Sequence, residues 1–353
     1  MKHTAAWKKF VHPRIRDIVR KSFGGFQLAP DEIKALLQVA PLSLAAGWVM
    51  GSANIMGREV NRGQAEVHAQ VGLNGSPCPG NCAFCSFSAH NRVFPQRHEL
   101  PIERIVEQAL RAEADGANAI FFMATGDFPM DRYIEIAQEV RAKLDPAAVM
   151  IANVGDFGIA VGKRLVEAGF TGIYHALRMG EGRDTNISPA TRQQTVLAAR
   201  EAGLLVGTCV EPVGPEHSPE EITEKIIIGR DFNPVYSGAA RRITIPGSPL
   251  ERFGMISEYR MAYLVSVVRL AMGRNVAGNC THEPNLLGAV AGTNLFWAEA
   301  GTNPRDTEAE TLKGRGLDVP SCQKIFAEAD FDVLHGPSHI YQERNGARPH
   351  SGP

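Results

Sequence analysis

The sequence predicts an α/β protein built on a (β/α)8 TIM barrel. Short β-branched or apolar runs alternate with amphipathic helices along most of the chain, which is the pattern of successive βα units. A chain of 353 residues, 44% of them hydrophobic, is long enough to bury the core of such a barrel. Eight candidate strands occur, as a closed barrel requires: residues 66–73, 119–123, 149–153, 172–176, 204–209, 241–245, 275–279 and 293–297.

The predicted barrel spans residues 64–320. Residues 1–63 are interpreted as an N-terminal helical extension, and residues 321–353 as a C-terminal segment and tail that folds over the barrel mouth. Two helix starts carry clear signals: Ser188 precedes a proline at the first helical position, and Ser218 opens a capping box. Residues 257–272 have apolar side chains at helical spacing, which predicts a helix with a core-facing stripe.

Composition excludes several classes of function. Lys and Arg total 37 against 38 Asp and Glu, so no basic field indicates nucleic acid. No apolar run reaches the roughly 18 residues of a membrane span, and the N-terminus has no secretory signal. We therefore expect a cytoplasmic protein whose partner is a small molecule or a protein surface.

Three of the six cysteines crowd into one short segment after the first strand. Cys78, Cys82 and Cys85 are spaced C-x3-C-x2-C, which lets three thiolates bind three irons of a [4Fe–4S] cubane and leaves the fourth iron without a protein ligand. That iron can chelate S-adenosylmethionine, and an electron from the cluster then releases a 5′-deoxyadenosyl radical. Phe84 lies beside the open iron, where it can support the adenine or simply pack. The alternatives are a zinc site, for which the local histidines are poorly spaced, and three ordinary core cysteines.

The segment CPGNCAFC resembles the signature of the radical S-adenosylmethionine (radical SAM) superfamily, whose barrels are of the predicted type. Other stretches resemble its biotin synthase-like branch, which includes biotin synthase, the archaeal-type two-protein lipoyl synthase, the FeFe-hydrogenase radical maturase and methylornithine synthase. Gly247-Ser-Pro-Leu250 is similar to the branch's G-T-P-L turn, and Ala291-Gly-Thr-Asn294 to its A-G-A-N. The resemblance runs from about residue 66 to residue 317.

The resemblance implies a set of cofactor contacts. Thr125, Gly126 and Asp127 follow the second strand, where the family has a glycine-rich turn and an acid that receives the methionyl ammonium. A plain turn with Asp127 as a helix cap is the alternative. Arg192 falls where the branch has the arginine that binds the methionyl carboxylate, a role that suits a guanidinium. A surface arginine is the alternative there.

Two further contacts follow from the same resemblance. Arg178 and Glu181 come after the fourth strand, where the branch places ribose or carboxylate ligands. Biotin synthases have N-H-N-L-D at this point, and this chain has Ala176 and Arg178 at the polar positions, which puts the ribose contact in doubt. Val213, after the fifth strand, matches the apolar stretch that supports the adenine.

The other three cysteines are predicted ligands of an auxiliary iron–sulfur cluster. Cys209 and Cys280 end the fifth and seventh strands, and Cys322 lies in the C-terminal segment. The polar stretch from Cys280 to His282 favours a functional role, whereas small buried hydrophobes are the alternative reading. Biotin synthase binds its second cluster through three strand cysteines and an arginine, which falls here near Arg274. Its three cysteine positions are occupied here by residues that cannot ligate, so the chain is not an ordinary biotin synthase: Met123, Ile151 and Gly207.

Arg241 and Arg242 are adjacent on the sixth predicted strand. One of two neighbouring strand residues points inward, and a buried charge is costly unless it is paired. We therefore expect one of the two arginines to face either an anionic ligand or a carboxylate of the chain.

The preferred hypothesis is a radical SAM sulfurtransferase that inserts sulfur into unactivated C–H bonds, like lipoyl and biotin synthases. The main alternative has one cluster and performs a rearrangement or C–C cleavage, and a further alternative is a non-catalytic iron–sulfur or zinc carrier. About eight irons per chain favours the first hypothesis and about four the second. The expected partners are a free or carrier-protein-bound substrate, a low-potential donor such as ferredoxin or flavodoxin, and a second radical SAM protein.

Overall fold

A closed barrel of eight parallel strands forms the centre of the molecule in a computed structural model, which describes residues 11–306 and 316–342. Neighbouring strands pair in the order β1, β4, β5, β6, β7, β9, β10, β11, and β11 pairs back with β1. The predicted fold class is confirmed. The barrel strands are β1 (Gln64–Gly72), β4 (Ala119–Met123), β5 (Met150–Asn153), β6 (Phe170–Tyr174), β7 (Leu205–Gly207), β9 (Tyr236–Arg241), β10 (Gly278–Thr281) and β11 (Leu295–Gly301).

Four short strands lie outside the barrel wall: β2 (Asn74–Gly75), β3 (His98–Glu99), β8 (Val210–Val213) and β12 (Asp332–Val333). Helices follow most of the barrel strands and cover the wall. They are α4 (Ile102–Ala114), α5 (Met130–Arg141), α6 (Ile159–Glu167), α7 (Pro189–Glu201), α8 (Pro219–Asp231), α9 (Glu258–Met272), α10 (Leu286–Val290) and α11 (Val319–Glu328). Within the described ranges, no helix is long and apolar enough to cross a membrane.

Three helices precede the barrel: α1 (Pro13–Phe23), α2 (Pro30–Leu37) and α3 (Leu44–Val60). They pack on α9, whose side chains are buried from Met261 to Met272. The hydroxyl of Ser22 donates to Leu270 O over 2.6 Å, and that of Tyr263 donates to Leu36 O over 2.6 Å. The side chains of α9 are therefore buried on all faces of the helix and not only along the predicted stripe, because a second layer of helices covers its outer side.

The two strong helix starts are confirmed. Ser188 caps α7 by accepting from the amide of Thr191, and Ser218 forms the capping box of α8 with Glu221. The sixth strand was predicted at 241–245 but ends at Arg241. Its sequence is YSGAAR, poor in β-branched residues, so packing and not strand propensity decides its position.

The described part of the C-terminal segment differs from its expected position over the mouth. β12 pairs with Gln64 and Ala65, the first residues of β1. The buried carboxylate of Glu66 then accepts hydrogen bonds from Ser338 Oγ at 2.5 Å and from the amide of Ile340 at 3.1 Å. Residues 332–341 therefore close the end of the barrel opposite the mouth, because Glu66 offers a buried acceptor there.

Candidate functional site

A cavity of about 470 Å³ opens at the carboxyl ends of the barrel strands. This is the end of a (β/α)8 barrel where loops from several strands meet and chemistry is found. Eight of the residues predicted to bind the cluster or the cofactor line the cavity: Cys78, Cys82, Phe84, Cys85, Thr125, Gly126, Arg178 and Arg192.

The cysteine triad lies on a loop that backbone and side-chain hydrogen bonds hold in shape. The amide of Cys78 donates to Phe87 O over 2.7 Å, and Asn91 Nδ2 donates to Cys85 O over 2.8 Å. Burial raises the pKa of Cys82 to about 11 and that of Cys85 further. A bound cation would offset this cost by binding the thiolates. The loop therefore presents three sulfurs to one cavity wall, as a cluster site requires.

The three triad sulfurs do not form one of the compact ligand sets of the structure. Among the residues that the structure describes, one set of three potential ligands has all its ligand atoms within 4.8 Å of one another, and it is Cys209, Cys280 and His282. Thiolates that bind three different irons of a cubane need not lie within that limit. The triad stays the predicted site of the [4Fe–4S] cluster.

Arg192 is held in the cavity wall by two carboxylates. Its Nη1 lies 3.2 Å from Asp156 Oδ2, and its Nε lies 3.3 Å from Glu181 Oε2. Burial alone would raise the pKa of Asp156, but hydrogen bonds from His175 and Thr195 and the charge of Arg192 lower it to about 2. Burial lowers the pKa of His175. The guanidinium is thus fixed at the position where the resemblance places the arginine that binds the methionyl carboxylate.

Three of the predicted cofactor contacts do not line the cavity, and two of them are the carboxylates Asp127 and Glu181. The carboxylate of Asp127 accepts from Ser76 at 3.1 Å and Thr125 at 2.7 Å, and it pairs with Arg97 at 2.6 Å. Glu181 is buried behind Arg192, where it also accepts from Thr185 at 2.8 Å. Asp127 thus shapes its turn, and Glu181 positions an arginine, so neither carboxylate faces the space that a cofactor would occupy.

Val213 points away from the cavity. It lies in β8 and packs in the outer hydrophobic layer together with Val210. Glu211 and Pro212 of the same strand line the cavity instead. The expectation that Val213 supports the adenine is therefore corrected. Its register on β8 turns the side chain towards the surrounding helices.

A hydrogen-bonded network crosses the cavity floor. Glu211 accepts a short hydrogen bond from the hydroxyl of Tyr174, and its other oxygen lies 3.5 Å from His282 Nδ1. Arg178 Nε lies 3.8 Å from Glu211. Burial alone would raise the pKa of Glu211, but its interactions with His282, Arg178 and Tyr174 lower that pKa.

Cys209 and Cys280 are brought together beside this network, whereas Cys322 is not. Burial alone would raise the pKa of Cys280, but the neighbouring Cys209 and His282 lower it. Cys322 lies in α11 and packs in the layer between helices and sheet, with its Sγ 3.6 Å from Trp297 O. The inclusion of Cys322 among the auxiliary ligands is therefore wrong, because α11 lies on the outside of the barrel wall.

The positions of the biotin synthase cluster ligands are occupied differently here. A Cβ on Gly207 would come within 2.1 Å of the Tyr236 ring, so an aromatic side chain fills that space. Arg274 bonds Glu59 and Phe23 O in the N-terminal helices, on the outside of the barrel. The barrel interior thus lacks the room and the arginine of that arrangement.

Arg241, the last residue of β9, and Arg242, which follows it, each have a carboxylate of the chain as partner. Arg241 lines the cavity and bonds Glu283 over 2.5 Å. Arg242 is buried and pairs with Glu216 over 3.1 Å. The ion-pair alternative therefore accounts for both positions.

Several lining residues were not singled out from the sequence: Asn153, Asp156, Tyr174, His175 and Glu211. Each of them ends a barrel strand or follows one closely. A search for polar residues at the ends of predicted strands would have found them.

Comparisons with known proteins show what the chain is similar to. Residues 76–227 match the family model of the radical SAM superfamily. The biotin synthase of Methylorubrum populi (strain ATCC BAA-705 / NCIMB 13946 / BJ001) is 27% identical over 284 residues, which cover 74% of this chain and 82% of that protein. The biotin synthase of Methylorubrum extorquens (strain PA1) is 28% identical over 287 residues, covering 74% and 84%.

Two solved structures share the fold. The FeFe-hydrogenase maturase HydG from Carboxydothermus hydrogenoformans superposes with a TM-score of 0.77 at 18% identity, over 94% of this chain and 81% of that one. Methylornithine synthase (PylB) gives a TM-score of 0.74 at 17% identity, over 92% and 98%. At these identities both likenesses support the fold alone.

The barrel and the cysteine triad are similar to those of the radical SAM superfamily, whose family model matches 152 of the 353 residues. Within that superfamily the chain resembles the biotin synthase-like branch, as its motifs indicate.

Proposed function

We propose that the protein is a radical SAM sulfurtransferase, which removes a hydrogen atom from an unactivated carbon of an organic substrate and inserts sulfur there. One observation carries the proposal: the triad Cys78, Cys82 and Cys85 lines the cavity, and His282, which also lines it, lies beside two further cysteines that are buried. These are Cys209, which follows β7, and Cys280 in β10. The similarity to biotin synthases favours the same class of reaction.

The residues of the triad would hold the [4Fe–4S] cluster and leave one iron for S-adenosylmethionine. When reduced, these cofactors supply a 5′-deoxyadenosyl radical. Arg192, fixed by Asp156 and Glu181, would bind the methionyl carboxylate through its guanidinium. A Cβ on Gly126 would lie 3.7 Å from Cys78 Sγ, so the turn after β4 passes directly beside the triad and brings its backbone to the cofactor.

The cavity floor would hold the substrate. It is polar, because it is formed by Tyr174, Glu211 and His282. Glu211 keeps its negative charge because its pKa is lowered. Phe84 and Phe87 line the triad side with apolar surface, which would exclude water from the reacting carbon. Sulfur would come from a second centre at Cys209 and Cys280.

The first test is cleavage of S-adenosylmethionine by anaerobic protein reduced with dithionite, which replaces a donor such as ferredoxin or flavodoxin. We expect 5′-deoxyadenosine from the wild type and none from Cys82→Ala. Continued cleavage by that variant would overturn the role of the triad.

The second test follows sulfur itself. Protein reconstituted with heavy-isotope sulfide is incubated with S-adenosylmethionine, dithionite and a cell fraction that contains metabolites and small carrier proteins. We expect an organic product that carries the label, made by Cys322→Ser and lost in Cys280→Ser. Substrate-dependent 5′-deoxyadenosine without labelled product would instead indicate a rearrangement or C–C cleavage. Absence of both products would indicate a non-catalytic iron–sulfur carrier.

A further inference from the structure

We infer that Cys209, Cys280 and His282 bind a single transition-metal ion, zinc or iron, with a fourth coordination position open to the cavity. The role of this ion as the second centre rests on the proposed function and requires ferric iron, because the electron released when a carbon radical bonds to sulfide must reduce the metal. The binding site itself is defined by the positions of three side chains.

The topology of the barrel brings the three residues together. Cys209 follows β7 and Cys280 lies in β10, and both strands pair with β9, which runs between them. Cys280 is opposite Gly238 of β9, where a Cβ would come within 2.1 Å of Cys280 O. Glycine at this position lets β10 pack closely against β9, and both cysteines face the barrel interior.

The spacing of the ligand atoms fits one ion. The two sulfurs and a ring nitrogen of His282 all lie within 4.8 Å of one another. Ligands of a tetrahedral ion with metal–sulfur bonds of about 2.3 Å are about 3.8 Å apart. Thiolates that bind different irons of a cubane need not lie so close together. The donor set, two thiols and an imidazole, suits zinc or iron and not magnesium or calcium.

His282 is oriented as a ligand. Its Nδ1 lies 3.5 Å from Glu211 Oε2, and Tyr174 donates to the other oxygen of Glu211. Its Nε2 is buried and has no hydrogen-bond partner among the described residues. A carboxylate that holds one ring nitrogen while the other binds metal is a common arrangement around metal-binding histidines. The unpartnered nitrogen is therefore accounted for by an ion at this place.

The charges of such a site balance. Binding a divalent ion releases the two thiol protons to solvent, and the resulting ion with two thiolates and a neutral imidazole carries no net charge. A neutral centre can be buried without an uncompensated charge. Cys209 and Cys280 are buried, whereas His282 and Glu211 line the cavity. The fourth position of the ion would thus face the substrate. A sulfide or a substrate thiolate would bind there only when it is added with the substrate, so the purified protein would hold no sulfide at this ion.

The test is a count of iron, zinc and acid-labile sulfide per chain in anaerobically purified, full-length holoprotein. A cubane contains equal iron and sulfide, so we expect the wild type to contain one metal ion per chain in excess of sulfide. Cys280→Ser and His282→Gln should each lose that ion and keep the sulfide. Cys322→Ser changes a buried cysteine of α11, outside the barrel wall, and should keep both the ion and the sulfide. Thermal melting of each variant checks that it is folded.

Three results would overturn the inference. They are metal equal to sulfide in a wild type whose variants are unchanged, loss of sulfide together with several irons in Cys280→Ser, and a Cys209–Cys280 disulfide in the purified protein. The outcome is separate from that of the proposed function, because the metal count needs no substrate. An excess ion in a protein that transfers no sulfur would support the site and contradict the sulfurtransferase.

Discussion

Arg192 Nη1 lies 3.2 Å from Asp156 Oδ2. This ion pair joins α7, which follows the fourth barrel strand, to the loop after the third barrel strand. Glu181 binds the same guanidinium from behind. The arginine is therefore held in place before any ligand arrives, and a preformed guanidinium binds a carboxylate with less loss of conformational entropy.

Arg192→Lys should weaken binding of S-adenosylmethionine about tenfold or more. Lysine keeps the charge but lacks the planar pair of donors that matches a carboxylate. Equilibrium dialysis with labelled S-adenosylmethionine measures the effect. Arg200→Lys, an exposed arginine of the same helix, serves as control, and equal affinity in the two variants would contradict the assignment.

Asp156→Asn should change how stability depends on pH. The pKa of Asp156 is lowered from 3.8 to about 2 in the folded protein, so its ionised form stabilises the fold above about pH 4, and this contribution is lost as the pH falls towards 2. At neutral pH the variant should be less stable by about 2 kcal/mol. Its melting temperature should approach that of the wild type near pH 2. A difference that stays constant with pH would show that charge is not the cause.

Glu66→Gln should loosen the closed end of the barrel. The buried carboxylate accepts hydrogen bonds from Ser338 Oγ and the amides of His339 and Ile340, and it lies 2.9 Å from His68 Nε2. The amide NH2 of glutamine would face the hydrogen-bond donors that now face the carboxylate, which should lower the free energy of unfolding by about 3 kcal/mol. Thermal melting and protease sensitivity of the C-terminal segment measure the effect. Glu328→Gln alters an exposed carboxylate of α11 and should leave both properties unchanged.

Glu211→Gln should lower the affinity of the second metal site about 10- to 100-fold, as loss of an outer-shell carboxylate does in other metal sites. Competition with a chelator, followed by metal analysis, measures the change. Glu220→Gln, at an exposed position of α8, is the control. Unaltered metal retention in Glu211→Gln would show that His282 needs no such partner.

The sequence alone determined the fold class, the order of the barrel units, the starts of α7 and α8 and the cysteine triad. These features depend on local patterns: alternation of strands and helices, hydroxyl caps, and thiols a few residues apart on one loop. It also predicted that Cys280 has a functional setting, because polar residues follow it at a strand end.

Only the tertiary structure decided which distant residues meet and which way they face. Val213 turns outward through its register on β8, and Cys322 lies outside the wall because α11 docks there. Cys209 meets Cys280 and His282 because β7 and β10 both flank β9, whose glycine lets β10 pack closely against it. Side-chain direction and strand neighbours arise from packing between segments far apart in the chain, and no local pattern encodes them.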